Sequence, residues 1–309
     1  MRIIFMGTPD FSVPTLEALL AANHDVCLVV TQPDRPKGRG KEVMETPVKQ
    51  VALRHHIPVF QPLTMKEKAT IETLKQYKAD TIIVIAFGQI LPKSVLELTP
   101  YGCINVHASL LPAYRGAAPI QWAVINGEKE TGVTTMQMDA GIDTGAMILK
   151  ETIPIAADET GASLHDKLAL VGAKLCVTTL AAIEDGTATF EKQGESTTGY
   201  AKMFKKSMGA IDWNLSALEI ERLIRGLNAW PGAYTKLENK EWKIWKAKVL
   251  EETGRESEPG TISILGKSRL VVQCGQGRLE ILMLQLPGKK RMATDAFLRG
   301  YTLQQLQFT

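Results

Sequence analysis

The sequence predicts an α/β protein in which an open, parallel-type sheet is followed by a small β-barrel. Three observations carry this reading. Apolar strand-like runs alternate with helix-periodic segments through about residue 183. Gly, Ser, Thr and Lys replace that periodicity between residues 193 and 209. Short apolar runs separated by Gly-rich turns fill the rest of the chain. The implied organisation is a first domain over residues 1–192, a linker over 193–209 and a second domain over 210–309.

Residues 3–6 form an apolar strand, 7–10 a turn, and 14–21 a helix with Ser12 near its start as a cap. A second strand covers 26–31. Residues 32–45 are too rich in Gly, Pro and charge to pack, and read as a polar loop. Thr46-Pro47 opens a helix with proline at its first position. Thr64 and Glu67 have the spacing of a capping box ahead of a helix that runs to Tyr77, and 81–87 is an almost wholly apolar strand, buried on both faces. A strand at 103–107, a helix at 119–125, an alternating strand at 133–138 and a helix at 163–183 complete the first domain. Alternation of strand and helix implies parallel pairing through right-handed crossovers. After the linker come an amphipathic helix at 216–227 and strands at 242–249, 262–265, 270–273 and 279–286, the pattern of a small barrel.

The 309 residues suit two domains, and 45% hydrophobic content supplies cores that a disordered chain lacks. The net charge of +3 is unevenly spread. Residues 1–198 hold 18 basic and 22 acidic side chains, a net −4, whereas 199–309 hold 18 and 11, a net +7. A basic C-terminal third beside an acidic body points to a polyanionic partner. Cys27, Cys103, Cys176 and Cys274 make no Cys-x-x-Cys pair and read as core residues of a reducing, cytoplasmic protein. The longest apolar run, 82–87, is far below a membrane span. The loop after the first strand, Gly7-Thr8-Pro9-Asp10, lacks the glycines of a dinucleotide fingerprint. The chain has no Walker loop and no His-Glu-x-x-His spacing, so neither a nucleotide cofactor nor a metal is expected.

Cys103-Ile104-Asn105-Val106-His107 places Asn105 and His107 on one side near the C-terminal end of a strand, where open parallel sheets bind ligands. The loop that follows, with Ser109, Leu110, Leu111 and Pro112, suits a flat, partly apolar ligand. Asp143 lies in a glycine-flanked turn. A lone histidine is ordinarily structural, and Asp in such a turn ordinarily caps its own backbone. Convergence of an amide donor, a group that titrates near neutrality and a carboxylate points instead to acid–base and oxyanion chemistry. With no Ser or Cys in an elbow context, direct transfer between two bound substrates is expected.

Gly7-Thr8-Pro9-Asp10-Phe11, Gln32-Pro33-Asp34-Arg35, Asn105-x-His107-x-Ser109-Leu110-Leu111-Pro112, Arg115-Gly116-Ala117-Ala118-Pro119-Ile120, Asp143-Thr144-Gly145, Ile211-Asp212-Trp213 and Pro287-Gly288-Lys289-Lys290, in this order, resemble the methionyl-tRNA formyltransferases, one branch of the folate-dependent formyltransferases. The Asn, His, Ser-Leu-Leu-Pro and Asp set is shared by the whole superfamily, and the basic loop and C-terminal segments carry the narrower likeness. Two positions depart from the family pattern: Ala108 stands where many relatives have Gly, and 205–209 is more basic.

The resemblance implies a Rossmann-like formyltransferase fold with a C-terminal barrel similar to an OB-fold. It further implies 10-formyltetrahydrofolate as donor, Asn105, His107 and Asp143 around the formyl carbon, and Ser109, Leu110, Leu111 and Pro112 lining the folate site. The acceptor it implies is initiator methionyl-tRNA, approached by the basic loop with Arg35, Lys37, Arg39 and Lys41, in a monomeric enzyme. The residues leave open which of Asp143 and His107 is the base. The alternatives are formyl transfer to a small amine, such as an amino sugar or a purine precursor, and a non-catalytic RNA-binding module. The basic C-terminal third disfavours the first, and the intact Asn105, His107 and Asp143 set disfavours the second.

Overall fold

Ile3, Ile4, Phe5 and Met6 have no exposed surface, so the first strand is covered on both faces, as its unbroken apolar run requires. A computed structural model describes residues 1–37, 42–303 and 306–309. Two compact units emerge. One comprises Met1–Pro119, Glu130–Pro154 and His165–Ala201, the other Ile120–Lys129, Ile155–Leu164 and Lys202–Thr309.

In chain order the elements through the long helix are β1 (Arg2–Gly7), α1 (Val13–Ala21), β2 (Asp25–Val30), β3 (Arg35–Lys37), β4 (Glu42–Met44), α2 (Pro47–Arg54), β5 (Val59–Phe60), α3 (Lys68–Gln76), β6 (Thr81–Ile85), α4 (Lys93–Leu96), β7 (Cys103–His107), α5 (Pro119–Asn126), β8 (Glu130–Gln137), β9 (Met147–Pro154) and α6 (Gly161–Glu184). The first unit holds a seven-stranded sheet of order β5-β2-β1-β6-β7-β8-β9. Its strands are parallel from β5 to β7, whereas β8 and β9 run antiparallel. The expected all-parallel continuation therefore stops at β7. Helix α5, read from sequence as a crossover, belongs to the second unit apart from its first residue, so it does not return the chain parallel to this sheet. Nor does β8 alternate: it is buried on both faces from Thr131 to Met136. Helix α6 covers one of them, with Gly172 close against Val106 and Val133.

Two caps differ from expectation. Ser12 bonds no backbone N–H at the start of α1; its hydroxyl donates to the Ile85 carbonyl at 2.8 Å and ties the first turn to β6. Thr64 and Glu67 form no capping box: Glu67 precedes α3 without a side-chain cap, and Thr64 accepts from the nearby Lys66 N–H. Thr46 does cap α2, accepting from Lys49 N–H at 3.2 Å. The stretch read as a polar loop contains regular structure, because Arg35–Lys37 pairs antiparallel with Glu42–Met44. Asp34 anchors the base of this hairpin, ion-paired to Lys49 and accepting from Gln61 Nε2 at 2.8 Å. Burial raises the pKa of the Asp34 carboxyl, but the bonds from Lys49 and Gln61 outweigh it and hold the group below its ordinary value.

The second unit carries α7 (Ala217–Gly226), β10 (Ala233–Leu237), β11 (Lys240–Glu251), β12 (Ile262–Leu265), β13 (Arg269–Gln273), β14 (Arg278–Gln285), β15 (Met292–Ala293) and α8 (Thr294–Gly300). Ser216 and Glu219 make a reciprocal capping box at the start of α7. The strands form an antiparallel sheet of order β10-β11-β14-β13-β12, with β15 on β14. Register shifts along β11 bend it around the core. The chain's last residues then bridge the two edges: Thr309 exchanges backbone bonds with Lys236 of β10, while Leu306 accepts from Ile262 of β12. Trp242 and Trp245 are both buried, so they belong to the core of this unit and do not present exposed faces on which bases could stack.

All four cysteines are free and buried, and burial pushes the Cys103, Cys176 and Cys274 thiols up to about 12. Among the described residues no helix is long and apolar enough to cross a membrane, and no group of three or more His, Cys, Asp and Glu is placed to hold a metal ion.

Candidate active site

The chain lays β1, β2 and β5 to one side, then resumes at β6 on the other side of β1. At such a switch point the loops leaving neighbouring strands diverge and open a crevice. Here it measures about 690 Å³ and is lined by Thr8 and Asp10 after β1, Gln32 after β2, Arg35 and Met44 of the hairpin, and Phe87 after β6. Strand β7, next to β6, delivers Asn105 and His107 at its C-terminal end.

Asn105 and His107 are 9% and 7% exposed. His107 Nε2 stands 3.0 Å from the Tyr114 carbonyl oxygen. A carbonyl can only accept, so Nε2 carries a hydrogen, and in the neutral ring the lone pair is on Nδ1. Nδ1 faces Asp143 Oδ1 at 3.7 Å, suited to an ion pair with a protonated ring but too long for a hydrogen bond. The second oxygen of Asp143, Oδ2, accepts from Gly116 N–H at 2.9 Å. The Asn105 carboxamide makes no hydrogen bond to any described residue, leaving its two N–H donors and its carbonyl oxygen free for a ligand.

Asp143 has a φ of 54°, in the left-handed region that Asp tolerates better than most residues. Its turn is tightly tied. Asp139 Oδ1 accepts from Gly141 N–H at 3.0 Å and from the Thr144 hydroxyl at 2.7 Å. A Cβ on Gly145 would lie 1.8 Å from the Gln137 carbonyl oxygen, so only glycine lets the turn close on β8.

The loop read as a ligand wall divides into scaffold and surface. Ser109 is buried, its hydroxyl donating to the Ala113 carbonyl at 2.7 Å, and Leu111 packs with Met136 and Met147. Thr134 ties the loop to β8, donating to the Ser109 carbonyl and accepting from Leu111 N–H. Leu110 and Pro112 are half-buried and keep surface to offer, and Ile142, beside Asp143, is 55% exposed. Arg35 is exposed on the hairpin, and Lys37 is in β3 opposite Glu42. Arg39 and Lys41 lie outside the described residues.

Sequence reasoning missed the segment 191–201. Glu191 bridges to Met147, Thr198 accepts from Tyr114 N–H at 2.7 Å, and Ala201 bonds the backbone of Arg115, Ala117 and Ala118. Gln193 Nε2 donates to the carbonyls of Asp143 at 2.9 Å and Gly145 at 2.8 Å. Residues 193–201 belong to the first unit rather than to a spacer. Their bonds run from small polar groups to backbone, which leaves no hydrophobic period, so composition alone reads them as a linker.

The second unit bears a groove of about 930 Å³ whose lining includes Lys129, Arg222, Lys246, Lys248 and Arg291. The Arg291 guanidinium lies 3.4 Å from the centroid of the Trp245 ring. Lys246 and Lys248 are exposed on β11, with no ion-pair partner among the described residues.

Residues 1–180 match the family described as formyl transferase, and residues 203–302 match its C-terminal domain. A protein of Agathobacter rectalis called methionyl-tRNA formyltransferase is 59% identical over 308 residues, covering 100% of this chain and 99% of its own length. The chain belongs to the methionyl-tRNA formyltransferase family. A second member, from Lachnospira eligens, is 52% identical, with 98% of each chain covered. Among solved structures the family fold aligns with WlaRD, a sugar 3N-formyl transferase crystallised with dTDP and 5-N-formyl-THF, at a TM-score of 0.69 and 20% identity over 94% of this chain and 99% of that one. It also aligns with the Helicobacter canadensis N-formyltransferase in complex with folinic acid and dTDP-3-aminofucose, at 0.67 and 21% over 91% and 98%. At these identities the structural likeness establishes the fold of the family and nothing finer.

Proposed function

We propose that this protein transfers the formyl group of 10-formyltetrahydrofolate to the α-amino group of methionine esterified to initiator tRNA. The observation that carries this reading is the likeness, through both units, to proteins called methionyl-tRNA formyltransferases. In this reading the first unit carries the catalysis, and residues 210–309, within the second unit, bind tRNA. Leu110, Pro112 and Ile142 offer apolar surface to the flat donor, on a loop that Ser109 and Leu111 hold in shape. The switch-point crevice, with Arg35 on its rim, receives the aminoacyl end.

An α-amino group has a pKa of about 7.7–8.0, so much of the acceptor arrives protonated and must lose a proton to attack. The His107 and Asp143 pair receives it. With Nε2–H fixed on the Tyr114 carbonyl, the proton goes to Nδ1, where the Asp143 carboxylate stabilises the imidazolium. Asn105 donates to the formyl oxygen as negative charge develops there, joined by the newly formed Nδ1–H of His107. Once bonded to the formyl carbon, the attacking nitrogen gives up a second proton, which passes to the folate nitrogen as its bond to that carbon breaks.

Acceptor choice tests the reading. The donor is incubated with equal concentrations of charged initiator tRNA and a nucleotide-linked amino sugar, and formylated products are separated. Formyl on the tRNA ester is the expected result, whereas preferential formylation of the sugar overturns the reading in favour of a small-amine enzyme.

Two further outcomes follow for the RNA. The segment from residue 199 onward carries the net +7, and phosphate contacts release counterions, so tRNA affinity falls steeply with salt. Lys246→Ala combined with Lys248→Ala makes the slope of log affinity against log salt shallower by about 1–2, with little change in the rate for bound tRNA. A filter-binding titration with an unchanged slope removes these lysines from the interface. Arg39 can fork two donors to a phosphate or base edge where lysine offers a point charge. Arg39→Lys therefore lowers kcat/KM for charged tRNA although net charge is kept. Arg39→Ala lowers it further, by roughly tenfold to a hundredfold, as the loss of one bidentate contact implies. Titration of a folate analogue stays unchanged in both variants; full activity in Arg39→Ala removes this residue from the tRNA interface.

A further inference from the structure

We infer that Gln193 is a positioning residue for the transfer, fixing the Asp143 carboxylate opposite His107 without touching the reacting atoms. The inference rests on the function proposed above.

Every hydrogen-bonding atom of its carboxamide is committed. Nε2 donates to the carbonyls of Asp143 at 2.9 Å and Gly145 at 2.8 Å, and Oε1 accepts from Arg115 Nε at 2.9 Å. These partners dictate the amide's orientation, since carbonyls only accept and a guanidinium only donates. Arg115 is held in turn by the Gly194 carbonyl, which accepts from Nη2 at 2.9 Å.

One side chain thus ties together two loops that meet at the Asp143 carboxylate. The 143–145 turn carries Asp143 in its left-handed conformation. The 115–116 segment supplies Gly116 N–H, which holds Oδ2 at 2.9 Å. The relative placement of the two decides where Oδ1 stands, 3.7 Å from His107 Nδ1. Gln193 is not needed to keep its own segment in place, because Thr198 and Ala201 anchor that segment independently to Tyr114, Arg115, Ala117 and Ala118. Losing the carboxamide frees the turn while the strap stays on. Displacements of about an ångström at reacting groups can cost a hundredfold in rate.

Gln193→Ala and Gln193→Glu are the test. Glutamate keeps size and the acceptor for Arg115, but it turns an oxygen toward two carbonyls. Both variants are expected to lower kcat by roughly 10- to 100-fold, with KM for donor and charged tRNA near the parent values and the thermal midpoint little changed. In an Asp143→Asn background, measured by single turnover, Gln193→Ala is expected to cost almost nothing more, because its effect passes through the carboxylate already removed. Full kcat in Gln193→Ala, or an undiminished loss in the Asp143→Asn background, overturns the inference.

Hydrogen exchange at the Gly116 amide gives a readout that does not depend on the reaction. It is expected to accelerate in Gln193→Ala as the Asp143 bond loosens, and unchanged exchange overturns the clamp. Should the parent protein not formylate charged tRNA at all, the functional reading fails, while the exchange result still decides whether Gln193 sets Asp143.

Discussion

His107→Ala and Asn105→Ala each lower the rate of formyl transfer by about a hundredfold or more, the scale set by loss of a positioned acid–base group or an oxyanion donor. The two act by separate routes. His107 supplies the one ring nitrogen not used by the Tyr114 carbonyl, and with it the place where the acceptor's proton comes to rest. The Asn105 carboxamide bonds no described residue, so truncating it breaks no internal hydrogen bond and its main effect falls on the bound substrates. Loss of the bond from His107 to Tyr114 costs about 1–3 kcal/mol of stability, which a two-unit protein of this size withstands. Single-turnover kinetics, with circular dichroism to confirm the fold, measure both; near-normal turnover in either variant removes that residue from the chemistry.

Asp143→Asn separates binding from transfer. The substituted amide has the carboxylate's shape, and Gly116 N–H needs an acceptor, so the amide oxygen takes the place of Oδ2. The new NH₂ group then faces His107 Nδ1. It both withdraws the charge that supports an imidazolium and donates toward the lone pair that must receive the proton. Donor affinity is expected to stay near the parent value, since the amide keeps the carboxylate's shape and its bond from Gly116 N–H, while transfer falls by about a hundredfold or more. Equilibrium titration with a folate analogue, beside single-turnover transfer, distinguishes the roles. If binding is abolished and the residual complex reacts at the parent rate, Asp143 is a ligand contact and the proton must be received elsewhere.

The parts of this site that could be read from sequence are those with a repeating or local signature. Asn105 and His107 share a side because the strand period is two, and the apolar run around them marks the strand whatever the rest of the fold does. The helix start at Thr46 and Pro47 is a local arrangement that forms as read, and the amphipathic helix at 216–227 is recovered as α7, whose box at Ser216 and Glu219 the structure adds. The box expected at Thr64 and Glu67 does not form, since three-residue spacing alone cannot tell where α3 begins. The turn to antiparallel pairing at β8 depends on which unit α5 packs into, a tertiary choice with no periodic trace. Gln193 was invisible for a related reason. Its partners are backbone carbonyls and an arginine about 50 and 78 residues away in sequence, and a single amide in a polar stretch carries no pattern.

The most direct test of the central claim follows the formyl carbon. The protein is mixed with 10-formyltetrahydrofolate labelled in that carbon and with methionine-charged initiator tRNA. The reaction is stopped within one turnover, and the ester is hydrolysed. Labelled N-formylmethionine that forms with the parent protein, and at least about a hundredfold more slowly with Asn105→Ala, His107→Ala or Asp143→Asn, is the predicted result. Label that stays on the folate, or that reaches methionine equally fast in all three variants, would contradict the assignment of this chemistry to Asn105, His107 and Asp143.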